Sequence, residues 1–359
     1  MRPGPEGSRR RVLVIGSGRR IRNNFLPALA HLAPRLEVNG LWSPTAAHAE
    51  AAARPWGFAV RPVEATLASV DTVVVSVSTP AVRSVLLRLQ PDAHRLTLVL
   101  DTPVFGGLRD LPAVRLLGRF AKVLVAEDYA RYPQWELLRT AVAGGLIGAP
   151  THVELAHSGY RYHGLALIRS IFGYPFARHL RRRAAVGEVA LRFAFGGGRT
   201  GRIVEPYDQR RGSTVVYGEK GSIRFGAGDV AGGEDPTVHR LRTLGPVDAP
   251  VGFALGDRTI VPPALASLLD ADVPDPTAFN ALKTCGLLAV LDDLWRPGPP
   301  VYGYRDALYD HLATAWLRSA PGAVDPAAHL DRNFVDLIEI ASRVRPMPSP
   351  AATAALQTS

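Results

Sequence analysis

The chain has 359 residues, of which 47% are hydrophobic and 21% charged, the composition of a globular protein long enough for two domains. A single cysteine, Cys285, excludes an internal disulfide framework and any zinc site built on clustered cysteines; no metal is expected, and no run of about 18 uncharged apolar residues marks a membrane span. The formal net charge of +10 invites a nucleic-acid reading, but Lys122, Lys220 and Lys283 are the only lysines and the arginines are scattered among alanines, so the expected partner is a small molecule, with no nucleic acid and no membrane, in the cytoplasm.

Residues 1–10 are rich in Pro, Gly and Arg and are expected to be disordered. Arg11 to Ile15 then reads as a buried strand flowing into Gly16-Ser17-Gly18 and a segment with apolar residues at helical spacing. Leu36–Trp42 is a second strand, followed by an alanine-rich helix from Thr45 to Arg54. Val70–Ser76, Leu96–Leu100 and Lys122–Ala126 are strands, separated by helices over Pro80–Leu89 and Leu108–Leu117. Strands apolar throughout and alternating with helices imply a doubly wound parallel sheet covered on both faces, here a Rossmann-like domain over residues 11–130.

Tyr132–Ala143 reads as a helix stopped by Gly144-Gly145, after which the pattern changes. Thr151–His157, Glu188–Phe195 and Thr214–Phe225 alternate or carry β-branched residues, with the helix His163–Phe172 between them. They predict an α+β domain with a mostly antiparallel open sheet, residues 131–318. Arg178–Arg183 reads as a solvated turn or an anion contact, and Gly226–Pro250 as a long surface excursion. Phe279–Trp295 and Ala307–Leu317 are amphipathic helices; a further C-terminal helix lies within 319–345, and 346–359 is a flexible tail. An open sheet would expose apolar side chains unless another subunit covered it, which predicts a homodimer or homotetramer.

The turn at Gly16-Ser17-Gly18-Arg19-Arg20-Ile21 has the chemistry of a dinucleotide site. Glycines let the backbone turn and approach a pyrophosphate, whose charge a helix N-terminus favours. Ile21 stands where a third glycine completes the usual pattern. A carboxylate at the end of the second strand binds both ribose hydroxyls of NAD; here Ser43 stands there, followed by Pro44 and Thr45. A 2′-phosphate meets no repulsion, and Arg19 and Arg20 offer countercharge, so NADP is expected ahead of NAD.

This order of elements resembles the Gfo/Idh/MocA oxidoreductases over roughly residues 11 to 318. Ser78-Thr79-Pro80 looks like that family's Thr-Pro step, Leu137–Pro150 like its helix leading to a Gly-x-Ile-Gly turn, and Val216–Phe225 like its glycine-kinked hairpin. The resemblance implies a nicotinamide groove that includes Ser78, Thr79, Pro80, Asp101 and Pro103. It also implies a Glu-Lys-Pro lysine beside the nicotinamide, where this chain has Asp101-Thr102-Pro103, and an Asp-x-x-x-His pair, where it has Gly159-Tyr160-Arg161-Tyr162-His163. The histidine matches; the lysine and the aspartate do not.

His163 is therefore the expected acid–base group, since an imidazole with a pKa near ~6.5 offers both protonation states near neutrality; its alternative role is to cap or pack its helix. Thr102, Tyr160 and Tyr162 are hydroxyl donors or packing residues, Arg161 is a bidentate clamp for an anion or a solvated charge, and Tyr207 and Asp208 are weaker candidates from the sheet side. The functional expectation is an NADP-dependent reductase of an imine or carbonyl small molecule, in the manner of a specialised-metabolism enzyme. A protonated imine already carries the charge that a missing lysine would lend to a carbonyl. The competing expectation is a non-redox tailoring enzyme, a cyclase or lyase, or a lapsed ligand-binding or scaffold protein on the same fold.

Overall fold

A computed structural model describes residues 9–106, 110, 112–208, 211–226, 235–246, 249–269 and 277–319. The predicted N-terminal disorder (apart from residues 9 and 10), the helix within 319–345 (apart from residue 319) and the tail 346–359 fall outside these residues, as do Leu108, Arg109 and Leu111 of the predicted helix Leu108–Leu117.

Five parallel strands, β1 (Arg10–Ile15), β2 (Leu36–Trp42), β3 (Thr72–Val75), β4 (Thr97–Asp101) and β5 (Lys122–Ala126), form a sheet of order β2-β1-β3-β4-β5. Each strand is apolar on both sides because helices cover both faces. One face packs Leu13, Ile15 and Val73 against α3 (Val63–Leu67), α4 (Thr79–Leu89) and α5 (Pro112–Leu117). The other packs Val12, Val14 and Val99 against α1 (Leu26–His31) and against Leu287, Leu291 and Leu294 at the far end of the chain. The helix after the Gly16 turn enters α1 through a π-helical turn, Ile21–Phe25, which the helical spacing did not reveal. The short α2 (Ala46–Ala53) follows β2.

After α6 (Pro133–Ala143) the chain builds a nine-stranded sheet of order β14-β13-β12-β11-β10-β6-β9-β8-β7. Its strands are β6 (Pro150–Ala156), β7 (His179–Ala185), β8 (Glu188–Ala194), β9 (Thr200–Glu205), β10 (Ser213–Gly218), β11 (Gly221–Gly226), β12 (Val238–Leu244), β13 (Gly252–Leu255) and β14 (Arg258–Ile260). Pairing is antiparallel except between β6 and β9 and between β11 and β12. Helix α7 (Arg161–Ile171) packs on its inner face, with α10 (Tyr304–Ser319) behind. Short α8 (Pro263–Leu269) and long α9 (Ala278–Leu291) return the chain to the first sheet.

Two expectations need correcting. Arg178–Arg183 is no turn: from His179 it is the edge strand β7, with Leu180 buried between exposed neighbours. The predicted excursion after Gly226 contains β12, whose Leu241 is buried in the core and pairs with Leu255.

The outer face of the large sheet also differs from the apolar surface expected. In register across seven strands run Arg181, Arg192, Arg202, Glu154, Val215, Arg224 and Arg240. A flanking row holds His179, Ala194, Thr200, His152, Tyr217, Ser222 and Val238. The strand pattern read apolar because alternate residues face the core; the residues between them are mostly arginines and other polar side chains.

Candidate active site

The site lies along the C-terminal ends of the parallel strands, where the backbone leaves the sheet and polar groups become available. Gly16 turns the chain with φ +124°, and a Cβ there would stand 2.1 Å from the Ser76 carbonyl oxygen. Only glycine fits that approach. Gly18 has open space where a Cβ would be, with nothing within 4 Å, so a ligand can reach its backbone. Ile21 is fully buried between helix and sheet. The turn is thus tight at its first glycine and open at its second, which suits the close approach of a pyrophosphate.

Ser17 and Ser43 hydrogen-bond through their hydroxyls at 2.9 Å, bridging the ends of β1 and β2. Thr45 precedes the first turn of α2, while Ser78 precedes that of α4, with Thr79 and Pro80 opening it. These predicted groove residues follow the C-terminal ends of the neighbouring strands β1, β2 and β3. Arg19 is exposed at the helix start. Arg20 goes elsewhere: its Nε donates to Asp101 Oδ1 at 3.2 Å, its Nη1 to Asn24 Oδ1 at 3.0 Å, and its Nη2 lies 2.9 Å from Asp128 Oδ2. Burial opposes its charge, but Asp128 and Asp101 outweigh that and hold it firmly protonated. Both aspartates belong to the β4 and β5 side of the sheet, away from Ser43 on β2, so Arg20 does not serve as countercharge for a 2′-phosphate.

Asp101 is held by three donors, the Ser76 hydroxyl at 2.6 Å, the Thr102 amide at 2.9 Å and Arg20. Thr102 borders the cleft, and Pro103 follows it through a cis peptide bond.

Beyond these residues a cleft of about 950 Å³ opens between the two sheets, bordered by Arg20, Asp101, Thr102, Asp128, His163 and Glu205. His163 is on the first turn of α7. Its Nδ1 lies 2.8 Å from both oxygens of Glu127, a carboxylate 0% exposed at the end of β5. An ionised carboxylate only accepts, so the network assigns the proton to Nδ1 and leaves Nε2 as the nitrogen open to the cleft. The ring is walled by Tyr162, centroids 4.1 Å apart, and flanked by Tyr160 and Tyr129 at 6.3 Å. Tyr162 is buried, which raises its phenol pKa, whereas Tyr160 is 40% exposed at the rim. Arg161 turns with φ +48°, donates its amide to Glu205 Oε1 at 3.1 Å and lays its guanidinium over Tyr160. Tyr207 borders the cleft from the sheet side, and the Asp208 amide donates to the His157 carbonyl.

Sequence reasoning missed four residues here: Glu127, Asp128, Glu205 and Lys283. Two carboxylates directly after an apolar parallel strand were a readable signal, because strand ends in such sheets carry sites. Glu127 supplies the carboxylate that Gly159 lacks, from 36 residues upstream of His163. Lys283 reaches the cleft from α9, and only the fold brings it there.

No protein-family model and no curated protein matches the sequence. Solved structures that share the fold include oxidoreductases and dehydrogenases. An oxidoreductase of Agrobacterium radiobacter in complex with NAD⁺, L-tartaric acid and magnesium is 17% identical with TM-score 0.65, covering 89% of this chain and 99% of its own. An oxidoreductase of Thermotoga maritima is 19% identical with TM-score 0.61, over 90% of this chain and all of its own. Levoglucosan dehydrogenase, in complex with NADH and levoglucosan, is 14% identical with TM-score 0.63, over 89% and 99%. The likeness is one of fold.

Proposed function

We propose that the chain is a nicotinamide-dependent oxidoreductase that reduces a carbonyl or imine carbon of a small molecule, with His163 as the proton donor. The observation that carries this reading is the His163–Glu127 pair: a buried carboxylate holds the imidazole by Nδ1 and fixes the ring at the border of the cleft, where Nε2 is placed to hand a proton to a substrate. The residues fit the group such an enzyme needs. Gly16 and Gly18 would take the pyrophosphate, Ser17, Ser43 and Thr45 the adenosine ribose, and Ser78, Thr79, Pro80, Asp101 and Pro103 the nicotinamide side. A reduced nicotinamide bound there supplies a hydride to the substrate carbon. As that carbon is reduced, the negative charge moving onto its oxygen or nitrogen is quenched by the proton on Nε2, and Glu127 keeps the ring from rotating. Tyr160, Tyr162 and Tyr207 wall the substrate, and the Thr102 hydroxyl donates to it.

NADP remains the preferred form in this reading, now on Ser43 alone, since no carboxylate at the end of β2 repels a 2′-phosphate. The test is consumption of NADPH and NADH against a panel of imines and aldehydes, with binding followed separately by nucleotide fluorescence. His163→Gln is expected to lower kcat by about 10²–10⁴-fold with nucleotide binding unchanged. A variant as fast as the parent contradicts the role of His163, and tighter binding of NADH contradicts the preference for NADP.

A further inference from the structure

We propose that Lys283 is the catalytic cation of this cleft, holding the carbonyl oxygen of the substrate while His163 delivers the proton; this rests on the oxidoreductase reading above.

The placement begins with a glycine. A Cβ on Gly286 would stand 2.4 Å from the Asp128 carbonyl oxygen and 2.9 Å from the Tyr132 ring, so α9 approaches the end of β5 as closely as a helix can. Lys283 lies three residues earlier on the same face of α9, and its side chain enters the cleft that Thr102 and His163 border. Its ammonium lies 5.1 Å from the Phe279 ring centroid. Asp101, Glu127, Asp128 and Arg20 all act on it electrostatically, yet among the described residues no carboxylate comes within ion-pair distance. Asp101 and Asp128 are taken by Arg20, and Glu127 by His163. The ammonium therefore keeps hydrogen-bond donors for a ligand.

Composition points the same way. In a chain whose 42 basic residues are arginines except at three positions, a lysine in the cleft stands out. An ammonium is a compact charge that settles on a single oxygen, whereas a guanidinium favours a two-oxygen partner.

The step balances. The hydride that a bound reduced nicotinamide would supply, itself becoming the oxidised form, adds to the carbonyl carbon, the π pair moves to oxygen, and the developing alkoxide takes the Nε2 proton of the His163 imidazolium, which becomes neutral while still bonded to Glu127. Lys283 remains an ammonium throughout, stabilising the charge as it forms. Burial, and then Arg20, hold the Lys283 pKa below its ordinary value against the pull of Asp128, Asp101 and Glu127, so the cation is lost earlier as pH rises.

The experiment uses the full chain with carbon-labelled lysine, whose three resonances are assigned through Lys283→Arg. NADP⁺ is expected to shift the Lys283 signal and depress its titration, and 2′,5′-ADP, which lacks the nicotinamide, to leave it in place. Lys283→Met is expected to lower kcat for aldehyde reduction by about 10²–10³-fold with NADPH binding unchanged. Lys283→Arg is expected to recover part of that loss and to move the alkaline limb of the kcat profile to higher pH. A parent that reduces aldehydes while Lys283→Met matches it overturns the assignment and leaves the oxidoreductase reading standing. A Lys283 signal indifferent to bound NADP⁺ also overturns it. A parent that transfers no hydride to any carbonyl or imine overturns the reading beneath it.

Discussion

At the scale of single residues, the site depends on side chains from distant parts of the chain meeting at strand ends. His163 was singled out because it matches the histidine of the Asp-x-x-x-His pattern and an imidazole offers both protonation states, and the structure sets it at the cleft against Glu127. Its partner Glu127 was not, because the pairing crosses from β5 to α7 and leaves no trace in local spacing. Arg20 was misassigned for the same reason: adjacency to the glycine turn suggested a phosphate, but two aspartates at neighbouring strand ends claim its guanidinium. Glu127→Gln is predicted to remove the carboxylate that fixes the tautomer and orientation of the imidazole, lowering kcat by about 10²-fold in the assay above; an unchanged rate would mean that the pair is structural. Cys285 has no part in this chemistry. It is buried, and burial pushes its thiol pKa up to about 12, so the thiolate is scarce at neutral pH. Ellman's reagent is predicted to leave native protein unmodified at pH 8 and to react promptly once urea unfolds it; rapid reaction of the native state would contradict that burial.

Elements carry these residues to their places through two tight devices. The first is the Gly16 turn. Gly16→Ala forces a positive φ on alanine and drives its Cβ into the Ser76 carbonyl, so nucleotide binding and stability are both predicted to fall, read by fluorescence titration and urea unfolding. The second fastens α7, and with it His163, to α10. Arg169, 0% exposed, lies 2.7 Å from Asp306 and 2.8 Å from Asp310, and Asp310 accepts from the Tyr302 hydroxyl at 2.9 Å. Removing one partner strands the other charge in the core, so Asp310→Ala is predicted to cost about 3–5 kcal/mol in urea unfolding; a loss below about 1 kcal/mol would show that the network relaxes around the gap. The sequence showed α7 as a helix and α10 as an amphipathic one, but a buried arginine cannot be told from a surface one by spacing. The π-helical turn at Ile21–Phe25 was equally hidden, since a one-residue bulge barely disturbs an apolar pattern.

At the scale of the whole molecule, the doubly wound sheet was the most legible part, because strands buried on both faces are apolar at every position. The second sheet was legible as antiparallel hairpins but not in its width: β7 hides in an arginine run and β12 in a stretch rich in Gly, Asp and Pro. The arginine row explains much of the basic charge that composition left unassigned. Arg181 and Arg192, and Arg192 and Arg202, stand directly opposite each other, and only Glu154 answers them within the row, 2.7 Å from Arg202. Like charges facing across strands destabilise a sheet, so Arg192→Glu is predicted to raise unfolding stability by about 0.2–1 kcal/mol at low salt, a gain that shrinks as salt is added. A loss of stability would show that an anionic group on this face already balances the row.

The nicotinamide site proposed for the strand ends from Gly16 to Lys283, with His163 at its reacting end, requires that the chain bind the nucleotide. It is tested most directly by titrating the parent and Gly16→Ala with NADPH and following nucleotide fluorescence. Saturable binding in the range of about 1 μM to 1 mM is predicted for the parent, and its loss in the variant. A parent that binds neither NADPH nor NADH by about 1 mM would contradict it.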